Sequence, residues 1–196
     1  MPPKAKFTKE EIIAAALQIV RESGMEAVTA RELGARLGSS ARPIFTVFDN
    51  MEEVLAGVED MTRELYRQYV ERGLTQTPAF RGVGLEYIQF AIQEPKLFQL
   101  LFMSEKSGEN DVAHVLALID GTYEVILKSV QDSYGFDREK ADKLYRHLWI
   151  YSHGIATLCA TKVCRFTPQD IGGMLTEVFT GLFIKMKKEE QNDSGK

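Results

Sequence analysis

Residues 8–11, 29–32 and 50–53 read Thr-Lys-Glu-Glu, Thr-Ala-Arg-Glu and Asn-Met-Glu-Glu. Each sets a small side-chain acceptor three positions ahead of a glutamate. In a capping box the first residue accepts from a free backbone N–H and the glutamate reaches back to a second one. The three signals recur at 21-residue spacing, which predicts short helices joined by tight turns. Behind the first, Ile12, Ala16, Leu17 and Val20 share one helical face, and Gly24 is placed to end the helix. Behind the second, Leu33 and Leu37 point inward and Gly38 closes the helix. Ser40 is the expected cap of a further helix, with Pro43 in its first turn and Ile44, Phe45 and Phe48 along it. The third opens a long helix to about Arg72.

The rest of the chain punctuates in the same way. A linker over 73–78 precedes a helix over 79–93, and Pro95 restarts the chain over 96–103. A polar loop is expected over 104–110 and a helix over 111–134, closed by Gly135. Asp137 caps a helix to about Val163, and Thr167-Pro168 begins the last, which frays from Lys187. No run of Val, Ile and Thr alternates with polar residues long enough for a strand. The expected fold is all-α, with about nine helices. A three-helix helix-turn-helix domain spans 1–50, a helical ligand-binding and dimerisation domain 51–190, and a disordered tail 191–196.

Composition excludes several alternatives. The chain is 44% hydrophobic and 27% charged, as globular proteins are. It has no apolar run of membrane-spanning length and no signal-peptide pattern, so a cytoplasmic location is expected. Cys159 and Cys164 stand five apart, poorly placed for a shared helical face, and read as apolar packing thiols. The histidines are His114, His147 and His153, and no metal-binding, phosphate-loop or nucleophile motif accompanies them. Neither an enzyme nor a cofactor or metal protein is expected. The net charge of −4 divides as +1 over residues 1–50 and −5 over the remainder. A mildly basic head on an acidic body suits local contact with DNA.

Residues 29–48 form the most specific constellation. A short capped helix, a turn over 38–40 and a second short helix make a helix-turn-helix. Gly34 leaves room for a close crossing, and Gly38 can take a turn conformation strained for other residues. In this motif the start of the second helix enters the major groove. Ser39, Ser40, Arg42, Pro43, Phe45 and Thr46 then face DNA, with Lys4 and Lys6 on an N-terminal arm and Thr29 at a helix N-terminus. Arg42 suits a guanine edge or a phosphate.

The stretches 7–12, 24–29, 32–38 and 44–48, with the acidic start of the long helix, resemble the tetracycline-repressor (TetR) family of one-component regulators. That family commonly carries a phosphate-binding tyrosine where Phe45 stands and a lysine where Met51 stands. The run Trp149-Ile-Tyr-Ser-His153-Gly154 resembles a subgroup whose regulatory domain carries Trp-x-x-x-His-Gly. The resemblance implies a repressor that binds a palindromic operator as a homodimer and is released by a small molecule.

Spacing adds an independent reading of the body. Trp149 and His153 are four apart, on one helical face. With Tyr87, Phe90, Phe98, Phe102 and Tyr123 they are candidate ligand contacts, as they are candidate core residues. The last helix carries a wide apolar stripe including Leu175, Phe179, Leu182 and Phe183, the expected homodimer interface. Two rival readings are a degenerate helix-turn-helix acting through protein partners and a ligand-independent architectural DNA binder. The second fits poorly with a sequence pI near 5.5.

Overall fold

The computed structural model describes residues 6–104 and 122–193. Among these it holds eight α-helices and two 3₁₀ turns, and no strand. They are α1 (Lys9–Ser23), α2 (Ala30–Arg36), α3 (Met51–Leu74), α4 (Ala79–Gln93), α5 (Pro95–Phe102), α6 (Tyr123–Tyr134), α7 (Arg138–Ala160) and α8 (Pro168–Asp193). The loop expected over 104–110 and the helix expected from 111 fall largely outside the described residues.

Helix starts follow the caps. Thr8 and Glu11 complete a full box. Thr29 accepts from the Glu32 amide at 3.2 Å. Asn50 accepts from the Glu53 amide, while Glu53 reaches one residue further back, to the Asp49 amide. Thr167 and Asp170 form a reciprocal pair at the start of α8, with aspartate in the glutamate's role.

The chain divides into two compact units. The first comprises Met1–Leu65 with Glu94–Glu105, the second Tyr66–Gln93 with Lys106–Lys196. This differs from a boundary at residue 50. The long α3 begins in the first unit and ends in the second, and α5 joins the first. Leu97, Phe98 and Leu101 of α5 are buried, and α5 packs on α1. Arg21 of α1 grips the Glu94 carboxylate through two hydrogen bonds, of 2.9 and 2.7 Å. Burial of Ile12, Ala16, Ile19 and Val20 on α1 and of Leu33, Ile44, Val54 and Val58 completes this core.

In the second unit α4 runs along α7, and α6 and α8 pack against both. The end of α3 and the start of α4 meet through Gly73 and Gly82, where a Cβ on either would collide with the other's backbone. That contact explains the glycine in the predicted linker. The last helix runs on to Asp193, through the stretch expected to fray. Ion pairs hold it: Lys140 and Lys187 both reach Glu190 at 3.0 Å, and Lys185 and Lys143 approach Glu189.

Candidate functional site

Each unit carries one candidate site. In the first, α2 ends at Gly38, whose φ of +63° is a left-handed conformation that other residues adopt only with strain. The turn then lies across α2. A Cβ at Gly34 would stand 2.9 Å from the Ala41 nitrogen and the Ser40 carbonyl carbon. The second helix of the motif is reduced to a single 3₁₀ turn, Ile44–Thr46. Pro43 supplies no N–H, and Ile44, Thr46 and Val47 are β-branched residues with weak helix preference. The backbone bonds there run mostly over three residues, Ile44 to Ala41 and Thr46 to Pro43. The Thr46 hydroxyl donates to the Pro43 carbonyl at 2.6 Å, which tightens the turn further. Ile44 and Phe48 are buried and anchor it.

The turn presents Ser40, Arg42, Phe45 and Thr46 to solvent, with Ser39 and Pro43 half-buried. Phe45 is 45% exposed, high for an aromatic ring. Arg42 makes no ion pair among the described residues. Lys6 reaches the same turn, donating to the Ser39 hydroxyl at 3.2 Å. Lys4 lies outside the described residues. Arg36 is withdrawn from this surface by a bidentate pair with Glu22, which holds the Glu22 carboxyl below its usual range. Thr29 keeps its helix-capping bond and stays exposed.

The second unit encloses a cavity of about 380 Å³, within the usual size of ligand pockets. α4 lines it with Phe80, Val83, Gly84 and Tyr87, and α7 with Tyr145, Leu148, Trp149 and Ser152. Both sets fall at i, i+3, i+4 and i+7, so one continuous face of each helix borders the space. Leu175, Thr176, Phe179 and Thr180 of α8 close a third side, Tyr66 of α3 a fourth, and Arg81 and Tyr134 also border it. Gly84 keeps the space open: a Cβ there would lie 3.8 Å from the Ser152 hydroxyl and 3.9 Å from Leu175.

The lining is almost wholly apolar and aromatic. Thr176 and Thr180 donate to carbonyls of their own helix. Ser152 is different. It is 4% exposed as a residue and its hydroxyl makes no hydrogen bond to the described residues, but that oxygen opens on the cavity; the buried side-chain polar atom without a partner among them is Thr157 Oγ1. Burial raises the Tyr134 phenol above its ordinary pKa, which keeps it neutral.

Of the predicted ligand contacts, Tyr87 and Trp149 line the cavity. His153 stands behind them: Tyr87 Oη and His153 Nδ1 are 2.9 Å apart, and the His153 ring stacks on Trp149 at 5.0 Å. Burial lowers the His153 pKa, favouring a neutral ring that accepts from Tyr87. Phe90 is fully buried against Tyr66 and Tyr69, a core residue. Tyr123 sits one layer out, against Tyr145, with its hydroxyl donating to Asp142. Burial and that bond push its pKa up to about 12. Phe98 and Phe102 pack on each other in the first unit, on α5, and are not cavity residues.

The proposed interface residues divide as well. Leu175 is buried and, with Phe179, lines the cavity. Phe183 is half-buried against Tyr134 and Phe136, and Leu182 is half-buried. The outward apolar residues of α7 and α8 are Ile150, Leu158 and Ile184, 51%, 36% and 49% exposed. Spacing alone singled out neither these nor Ser152. The signal for Ser152 was its place at i+7 on a helical face otherwise made of Tyr145, Leu148 and Trp149.

Among the described residues no cluster of three His, Cys, Asp or Glu side chains is arranged for a metal, and no helix is long and apolar enough to cross a membrane.

Two family profiles match the chain. Residues 12–58 match bacterial regulatory proteins of the tetR family. Residues 80–182 match the tetracyclin repressor-like C-terminal domain. No curated protein matches the chain as a relative. A crystal structure of a protein from Streptomyces coelicolor A3(2), provisionally described as a transcriptional regulator, is similar in fold, with a TM-score of 0.50 and 17% identity. The similarity covers 94% of this chain and 98% of that one.

Proposed function

The chain belongs to the tetR family of bacterial regulatory proteins, and on that premise we propose that it is a repressor that binds a palindromic operator as a homodimer and lets go when a small molecule enters the cavity of its second unit. The observation that carries the release step is that cavity: largely apolar, about 380 Å³ and bordered by the Ser152 hydroxyl, which makes no hydrogen bond to the described residues. A cavity of this kind stabilises the fold poorly when unfilled, so its persistence argues for an occupant. Trp149, His153 and Gly154 resemble the Trp-x-x-x-His-Gly run of one subgroup's regulatory domain, which supports this reading.

On the DNA side, Arg42 and Phe45 are the exposed large side chains of the turn. Arg42 suits a guanine edge, and the Phe45 ring suits a thymine methyl, a contact available to phenylalanine in the major groove. Lys6 and the α2 N-terminus at Thr29 suit phosphates. The homodimer reading is supported by Ile150, Leu158 and Ile184, exposed apolar side chains on two helices that pack together. Two protomers would place two reading turns on one face of the duplex. The continuous α3 gives occupancy of the cavity a covalent route to the DNA-binding unit. A ligand can release DNA only if it binds one arrangement of the protein better than the other.

Selection of genomic DNA fragments on the purified protein, followed by mobility shifts at two salt concentrations, tests the reading. Enrichment of one palindrome supports it. A folded dimer that enriches no sequence rejects it and favours protein partners for the turn. A steep salt slope without sequence preference identifies backbone binding of the architectural kind.

A further inference from the structure

The effector itself has a chemistry that the cavity dictates, and this inference rests on the cavity being the effector site. Its lining offers ring faces and aliphatic surface, with two hydroxyls, those of Ser152 and Tyr134, that make no hydrogen bond to the described residues. Its border carries one formal charge, Arg81. That guanidinium is exposed and makes no ion pair among the described residues. Glu177 lines a shallow groove beside the cavity together with Arg81, yet does not pair with it. Arg81 sits three residues before Gly84, about 4.5 Å along the helix axis. Gly84 in turn faces the Ser152 hydroxyl. The Arg81 guanidinium lies against Gly172 of α8, 3.4 Å from where a Cβ there would stand, and it borders the same apolar chamber as the Ser152 hydroxyl.

We propose that the cavity takes a small amphipathic carboxylate: an aromatic or aliphatic body held among Tyr87, Trp149 and Phe179, with the anionic group on Arg81 and a second polar atom reaching Ser152. An arginine at a partly enclosed rim forms bidentate, charge-assisted bonds to a carboxylate that a neutral amide cannot reproduce. A cationic ligand would face the guanidinium with like charge. A fully apolar ligand would cover the Ser152 hydroxyl without giving it a hydrogen-bond partner.

The chain's single tryptophan, Trp149, lines the cavity and reports on it. The probes are phenylbutyrate, naphthoate and octanoate, each with its amide and its amine, titrated against the full chain by Trp149 fluorescence and calorimetry. At least one carboxylate should bind about tenfold more tightly than its amide, and its amine should bind least. Arg81→Met should erase the carboxylate preference, bringing a carboxylate and its amide to about equal affinity. Ser152→Ala should weaken the carboxylate several-fold.

Equal affinity for carboxylate and amide, a preference that survives Arg81→Met, or binding by none of the carboxylates would overturn the proposal. Binding by amides or amines alone would reject the anionic class while keeping the cavity as an effector site. Failure of the DNA selection would bear on the regulator reading and leave this one untouched.

Discussion

Replacing Gly34 with alanine puts a methyl group in place of one hydrogen at a close backbone crossing in the DNA-binding unit. The new Cβ would stand 2.9 Å from the Ala41 nitrogen and the Ser40 carbonyl carbon, against an optimum of about 3.5–4.0 Å for carbon contacts. Both neighbours are backbone, so neither can swing aside. The turn must move off α2 by roughly half an ångström to one ångström, the difference between those distances. Alanine also favours the helix over glycine by about 0.5–1 kcal/mol, which would mask part of the cost in a single measurement. Gly173→Ala supplies the reference. Gly173 lies within α8, is exposed, and a Cβ there meets nothing within 4 Å. That variant should gain the helix preference alone. The two alanines should therefore separate by the overpacking cost, about 1–3 kcal/mol. Urea unfolding followed by circular dichroism reads the difference. Operator affinity should fall further in Gly34→Ala than stability explains, because the displaced turn carries Arg42 and Phe45. A Gly34→Ala protein as stable as Gly173→Ala and undiminished on its operator would refute the claim that this crossing positions the reading turn.

Arg42→Ala should cost about 1–3 kcal/mol of operator affinity and relax preference at one base position; a loss that is uniform across sequences in mobility shifts assigns Arg42 to phosphate instead. Ile150→Asp combined with Ile184→Asp should convert a dimer to a folded monomer by placing charge on the outward strip, and an unchanged mass in analytical ultracentrifugation would remove α7 and α8 from the interface. His153 ties stability to pH. Its folded pKa lies below its ordinary value of 6.5, so the unfolded chain takes up the proton first. Its contribution is complete above about pH 6.5 and is lost as the pH falls through the lowered value. His153→Gln should flatten the fall in urea midpoint between about pH 7.5 and about pH 5.5 relative to the parent, and parallel curves for the two proteins would detach His153 from that fall.

The caps were legible because they are local. Thr8, Thr29, Asn50 and Asp137 each serve an amide three residues on, and no tertiary contact is needed to place them. The reading turn was less legible. Ser40 and Pro43 look like a helix start, but the β-branched residues that follow and the Thr46 bond to Pro43 favour a 3₁₀ turn. Neither penalty shows in apolar periodicity. The cavity was legible only in part. Tyr87 and Trp149 stood out by size, but Phe98 and Phe102 look the same in sequence and pack instead in the other unit. Periodicity identifies a buried face without saying what covers it. Phe179 illustrates this, since its stripe serves its own protomer before any partner. The persistence of α8 past Lys187 depended on Lys140 and Lys143, almost fifty residues away in sequence, which charge composition alone could not supply.

The pairing of Arg36 with Glu22 has a consequence for how this protein spends its time in a cell full of DNA. Affinity for arbitrary duplex scales with the phosphates a protein neutralises, each adding about one unit to its salt slope. Arg36 is one of few cations near the reading turn, and its charge is already answered within the chain. A regulator built this way slides less and dissociates sooner from wrong sites. If it acts on an operator as proposed, it would reach that site by many brief encounters and leave promptly once its own contacts there are weakened.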